Sequence, residues 1–198
     1  MTIFLDIQPQ RSLHEVGGLE NCQEMGISVC VTYSDILDEC SIFMPDDSCL
    51  EQFQNSMPDV YMDDHFSSDM DELLNILEKD NVVGFNIRAF EYNLLRSYIG
   101  NMSHIFSSTI DMVDYIYNLL GFNVSAENMI GHTLGLSKSQ KEEHVLHECK
   151  DCNIEKIIAH CKNNVQLTHG VYTHGVENGF IKYFDARSNK VLDIEVDW

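Results

Sequence analysis

NVVGFNIRAFEYNLL, residues 81–95, is the stretch on which the reading of this chain turns. Val82, Val83 and Phe85 form a short apolar, β-prone run that Asn86 interrupts. Phe90, Leu94 and Leu95 then recur at helical spacing, so strand gives way to helix within a few residues. Glu91 falls on the first turn of that helix, one residue after an apolar anchor. A carboxylate there lies off the end of a strand and beside the positive end of a helix dipole. In α/β sheets the strand ends are where sites are assembled.

Upstream, residues 2–6 (TIFLD) read as a core strand ending on a carboxylate, residues 26–33 (GISVCVTY) as a second strand and 41–44 as a third, together an antiparallel meander. Residues 45–68 are acidic, hold two of the three prolines, and read as an irregular surface connection. Tyr61, Met62 and Phe66 within it either anchor a partner or pack the connection onto the domain. Residues 70–77 (MDELLNIL) form an amphipathic helix, with Ser67 or Ser68 as N-cap. Downstream, Asp111 opens a helix that Gly121 closes, Ser125 caps a short helix, and residues 139–150 read as helical. Asn153 caps a long helix ending at Gly179, and residues 180–184 and 191–196 form a C-terminal hairpin. The expectation is one domain over residues 1–198: an α/β mixed sheet, antiparallel meander plus parallel strands, flanked by helices.

Charge sets the second constraint. Twelve basic against thirty-two acidic residues give a formal charge of −20, and residues 12–78 contain sixteen acids and no Lys or Arg. A generic nucleic-acid binder needs a basic footprint that is missing here. The acidic surface, residues 35–72 above all, is either a solvated face or a surface for a basic protein partner. No apolar run is long enough for a membrane span and no signal peptide is visible. Seven scattered cysteines fit free thiols, and the expected location is cytoplasmic.

Three places carry the chemistry: Asp6 and Gln8 after the first strand (FLDIQ), Glu91 after the fourth (GFNIRAFEYNLL), and Asn164 on the late helix (HCKNNVQLT), four residues after His160. Their order, with LGLSKS at residues 134–139 and a closing VDW, resembles the DEDD group of 3′–5′ exonucleases, closest to its tyrosine-type branch. The resemblance covers almost the whole chain. It implies an RNase H-like fold and hydrolysis of phosphodiester bonds in single-stranded DNA or RNA by two Mg²⁺ or Mn²⁺ ions. Hard divalent ions of this kind are held by charged oxygens.

This chain departs from that pattern where it matters. Asp6 is kept and Glu91 stands for the second-motif Asp. Gln8 stands for a Glu, Asn164 for the last Asp, and His160 for the Tyr. Gln8 and Asn164 keep the shape of an acid and lose its charge, so half the anionic complement is gone. Asp6 and Glu91 can hold a weak single ion at most. His160 is open to a general-base role, or is simply a polar helix residue beside a vestigial cleft. The resemblance thus leads to a degenerate, catalytically inactive exonuclease-like protein that binds a protein partner or a nucleic-acid end. The alternative is an active metal-dependent 3′–5′ exonuclease with an altered site. If a strand is gripped, Asn86, Arg88, Lys138 and Lys162 are the candidates beside the motifs. His144, His147, Cys149 and Cys152 have zinc-binding atoms, but their spacing is unlike a common finger.

Overall fold

Alternation along the first strand sets the layout of the molecule. β1 (Thr2–Pro9) turns Ile3, Leu5 and Ile7 to one face and Phe4 to the other, and Asp6 and Gln8 share the Phe4 face by their period of two. This is seen in a computed structural model that describes residues 1–55, 61, 63–135 and 153–198. The chain is an α/β protein built on a six-stranded mixed sheet of order β4-β3-β2-β1-β5-β6, with a separate two-stranded hairpin near the C-terminus. β2 (Ile27–Ser34) and β3 (Glu39–Phe43) complete the expected antiparallel meander with β1. β5 (Asn81–Gly84) runs parallel to β1, and β6 (Thr109–Asp111) parallel to β5.

Helices cover both faces. On the Ile3 face, α3 (Met70–Lys79) contributes Leu73 and Leu77, and α4 (Glu91–Ile99) contributes Leu94 and Leu95, all buried. On the Phe4 face lies the long helix α7 (Ile154–Asn178), with Ile157, Ile158, Cys161 and Val165 fully buried. α5 (Met112–Leu120), α6 (Ala126–Leu134) and the hairpin of β7 (Phe180–Asp185) and β8 (Lys190–Glu195) complete that layer. Asp111, Ser125 and Asn153 are the N-caps expected of them, and Gly121 and Gly179 close their helices in the left-handed conformation.

Several boundaries differ from expectation. β1 does not end at Asp6, because Ile7 and Gln8 go on pairing with Cys30 and Val29, and the register slips only between Gln8 and Pro9. The connection at residues 45–68 is not irregular throughout. It contains α2 (Asp47–Asn55), which buries Leu50 and Phe53, and the edge strand β4 (His65–Ser67), parallel to β3. Asp46 Oδ1 accepts the Ser48 and Cys49 N–H groups at 3.0 and 3.3 Å at the start of α2. Asp69, not Ser67 or Ser68, caps α3, accepting from Asp71 and Glu72. A short helix, α1 (Leu13–Val16), follows β1, opened by a capping box between Ser12 and Glu15.

Tyr61 and Phe66 pack the acidic connection onto the domain. The Phe53 ring lies 5.7 Å from that of Tyr61 and 5.5 Å from that of Phe66, and the Tyr61 hydroxyl donates to the Glu155 carbonyl at 3.3 Å. Met62, Lys138, most of LGLSKS, the helix read at 139–150 and the quartet His144, His147, Cys149 and Cys152 lie outside the described residues. Among the described residues no helix is long and apolar enough to cross a membrane.

The C-terminal residues are tied down against α7. Trp198 Nε1 donates to the Tyr172 carbonyl at 3.2 Å, its ring stacks on Tyr172, and it meets Tyr115 edge-on at 4.9 Å. The Tyr115 hydroxyl bonds to the Asp197 carboxylate.

Candidate functional site

Because β1, β5 and β6 run parallel, their carboxyl ends lie on one side of the sheet, and a cleft of about 720 Å³ opens there. Asp6 and Gln8 enter from β1, Asn86 and Glu91 from the segment after β5, and His160, Asn164 and Thr168 from α7. The structure therefore brings all five motif positions of the sequence together. Polar lining residues that were missed include Thr168 on α7, His14 on α1, Asn123, and Glu127 on the first turn of α6. The last three lie on elements without a chemical motif, so only the three-dimensional packing points to them.

Asn164 is the centre of the polar arrangement. Its Nδ2 lies 3.2 Å from Asp6 Oδ1 and 3.1 Å from His160 Nε2, and its own carbonyl accepts the Thr168 hydroxyl at 2.8 Å. An ionised carboxylate only accepts, so the amide presents its N–H groups to Asp6. The same nitrogen also faces His160 Nε2, and an amide N–H can donate there when that ring nitrogen carries no proton. Asn164 is 7% exposed, and its Oδ1 is buried with no hydrogen-bond partner. Gln8, 5% exposed, turns its amide nitrogen back toward the Pro9 carbonyl at 3.4 Å.

Glu91 is held by the turn before it. Asn86 takes a left-handed backbone, φ 61°, which asparagine tolerates better than most residues. The N–H groups of Asn86 and Arg88 donate to the two oxygens of Asp111 at 2.9 and 3.1 Å. Phe90 N–H closes on the Asn86 carbonyl, and Glu91 follows as the first residue of α4, 8% exposed. Burial, then the negative fields of Asp6 and Glu91, push the Cys30 thiol well above its ordinary value. Burial and Glu91 also raise the Cys22 thiol. Both stay protonated and are poor nucleophiles.

Asp111 thus clamps the loop and caps α5 at once. Burial raises its carboxyl above the ordinary value, opposed mainly by the Arg88 N–H bond. For an acid raised on folding, the stabilising contribution is complete below the unfolded value and shrinks as pH rises through the folded one. Urea melts of the parent chain and Asp111→Asn are expected to show the parent's advantage narrowing from the acid side of that window toward neutral pH. A gap that widens with pH would contradict the burial argument.

Among the described residues, the basic candidates Arg88 and Lys162 are engaged elsewhere. Arg88 Nη2 donates to the Phe106 and Thr109 carbonyls at 2.9 and 2.7 Å, with Asp114 3.7 Å from its Nη1. Lys162 Nζ reaches the Asp64 oxygens at 2.6 and 2.9 Å over the Tyr61 ring. Neither lines the cleft, whereas Asn86 does.

The donor set does not fit a pair of divalent ions. Of the four positions that the exonuclease resemblance names as ligands, two are the amides Gln8 and Asn164, and Asn164 Nδ2 faces Asp6. Among the described residues, no three His, Cys, Asp or Glu side chains converge at metal-holding distance. No protein-family model matches the chain, and no curated protein matches it in sequence.

Proposed function

We propose that this is a 3′–5′ exonuclease-like protein of the DEDD, tyrosine-type kind, with an RNase H-like fold, whose cleft no longer cuts and is kept for binding. The strand order supports the fold reading: an antiparallel 3-2-1 meander continued by two parallel strands, with the long last helix across β1. The convergence of Asp6, Gln8, Glu91 and Asn164 in one cleft supports the motif assignment. The observation that carries the loss of cutting is the Asn164 amide, whose Nδ2 donates to Asp6 Oδ1 and lies 3.1 Å from His160 Nε2. A general base must have a ring-nitrogen lone pair open to the water it activates. At the position where the exonuclease pattern places a fourth carboxylate, this chain puts an amide that turns N–H toward Asp6.

The test is incubation of the full chain with 3′-labelled single-stranded DNA and RNA in Mn²⁺. The expected result is no stepwise shortening above a buffer control. Shortening that disappears in Asp6→Ala would establish the active, altered-site enzyme instead.

A further inference from the structure

We infer that the tip of the β2–β3 hairpin is a docking point, made by Ile36 and Leu37, for a protein partner that offers an apolar pocket rimmed by lysine or arginine. The tip adjoins Thr2, at the opposite end of β1 from Asp6 and Gln8, so the inference does not depend on what the cleft does. Ile36 is 69% exposed and Leu37 58%, the two highest values among the large hydrophobic residues described. Neither belongs to a hydrophobic core nor packs against one.

The turn itself has no need of the two side chains. β2 and β3 pair as far as Ser34 and Glu39, which leaves residues 35–38 as the connection. Its bonds are made by the residues around the aliphatic pair and by backbone. The Ser34 carbonyl accepts the Asp38 N–H at 3.0 Å, and Ser34 Oγ accepts the Leu37 N–H at 3.3 Å. Asp35 N–H donates to the Thr2 carbonyl at 3.2 Å, and Thr2 N–H donates to Asp35 Oδ1 at 2.9 Å. The Tyr33 hydroxyl donates to Asp38 Oδ1 at 2.8 Å, and Asp38 takes a left-handed φ of 54°. Turns of this kind favour Gly, Asn, Asp or Ser. Here two large aliphatic side chains are held in water on a bonded turn, so a partner that buries them has little backbone left to order.

The surroundings of the pair are anionic. Asp35, Asp38 and Glu39 are all exposed, and among the described residues no Lys, Arg or His pairs with them. An apolar anchor between like charges is matched by an apolar floor with a cationic rim, which also sets the register of docking. An anionic lipid surface would be repelled by the same three acids, and a second copy of a chain with a formal charge of −20 likewise.

The experiment is calorimetric titration of the full chain with an amphipathic leucine–lysine helical peptide, which presents an apolar stripe flanked by lysines. The double variant Ile36→Ser, Leu37→Ser is expected to bind it roughly tenfold more weakly than the parent, because two aliphatic side chains lose their burial. Both positions are exposed, so the variant's urea midpoint should match the parent's. Glu39→Gln removes a charge and no hydrogen bond to a described residue. It should weaken the peptide by about threefold at low salt, a difference that fades at high salt. A leucine–glutamate peptide of the same pattern should not bind, and a lysine–serine peptide should treat parent and double variant alike. Equal affinity of the leucine–lysine peptide for parent and double variant overturns the proposal, as does a leucine–glutamate peptide that binds as tightly. Two further results would each replace the protein partner. Neutral phosphatidylcholine vesicles that take up the parent and not the double variant would assign the tip to a bilayer. Self-association in analytical ultracentrifugation that the double variant loses would assign it to a second copy.

Discussion

The triple variant Gln8→Glu, Glu91→Asp, Asn164→Asp is expected to bind Mn²⁺ roughly a hundredfold more tightly than the parent chain, and to melt at a lower temperature when metal is withheld. Two divalent ions about 3.8 Å apart repel by roughly 17 kcal/mol at an effective dielectric of 20. Asp6 and Glu91 offset only part of that, and the Asn164 amide turns N–H groups toward Asp6 at 3.2 Å. The variant supplies the missing anions and removes the competing donor. Without metal the same change sets like charges against each other, at a cost of up to about 4 kcal/mol for a pair 4 Å apart at that dielectric. Part of this is relieved by one acid taking up a proton. Saturating Mn²⁺ at a hundred times its Kd restores about 2.7 kcal/mol by mass action. Thermal melts with and without Mn²⁺ should therefore cross over: parent indifferent, variant rescued. Equal response in both proteins would mean that charge deficit is not what separates this cleft from a metal site.

Gly175→Ala is expected to destabilise the protein by about 2 kcal/mol or more, although alanine in a helix interior normally gains close to 1 kcal/mol over glycine. A Cβ at Gly175 would sit 2.7 Å from Trp198 Nε1, 2.9 Å from Trp198 Cζ2 and 2.9 Å from Val196 Cγ2. The indole cannot withdraw cheaply, because Nε1 is bonded to the Tyr172 carbonyl and the ring is wedged between Tyr172 and Tyr115. Gly170, in the same helix, is the control. A Cβ there would approach Leu134 Cδ1 at 2.9 Å, the free end of a side chain that can rotate away. Gly170→Ala should fall within about 1 kcal/mol of the parent in urea denaturation. If the two alanine variants prove equally stable, the C-terminal residues do not bear on α7 as tightly as their geometry implies.

What could be read from the sequence was what is local. Asp111, Ser125, Asn153, Gly121 and Gly179 act through hydrogen bonds and backbone angles within a few residues, so their helices were legible before any fold was known. The strand-to-helix switch before Glu91 was legible for the same reason. β1 beyond Asp6 was not, because Asp6 and Gln8 are polar where a strand pattern wants apolar residues, and only the cleft explains them. α2 was hidden by its acidic setting: Leu50 and Phe53 are its buried apolar residues, and Phe53 packs on Tyr61 and Phe66 beyond the helix's own end. β6 spans three residues that exist as a strand only because β5 lies beside them. In the site, the five motif positions were found, but the direction of the Asn164 amide depends on Asp6 and His160 together.

The bond from Asn164 to Asp6 spans 158 positions, which has a consequence for biosynthesis. At roughly 5–20 residues per second, a ribosome takes on the order of 8–30 s to travel from one to the other. Phe4, Val29, Val31 and Val83 are all made before Ile157, Ile158, Cys161 and Val165, which share their core. That sheet face therefore cannot be completed until the long helix has been made, and a formal charge of −20 opposes the association of incomplete copies meanwhile.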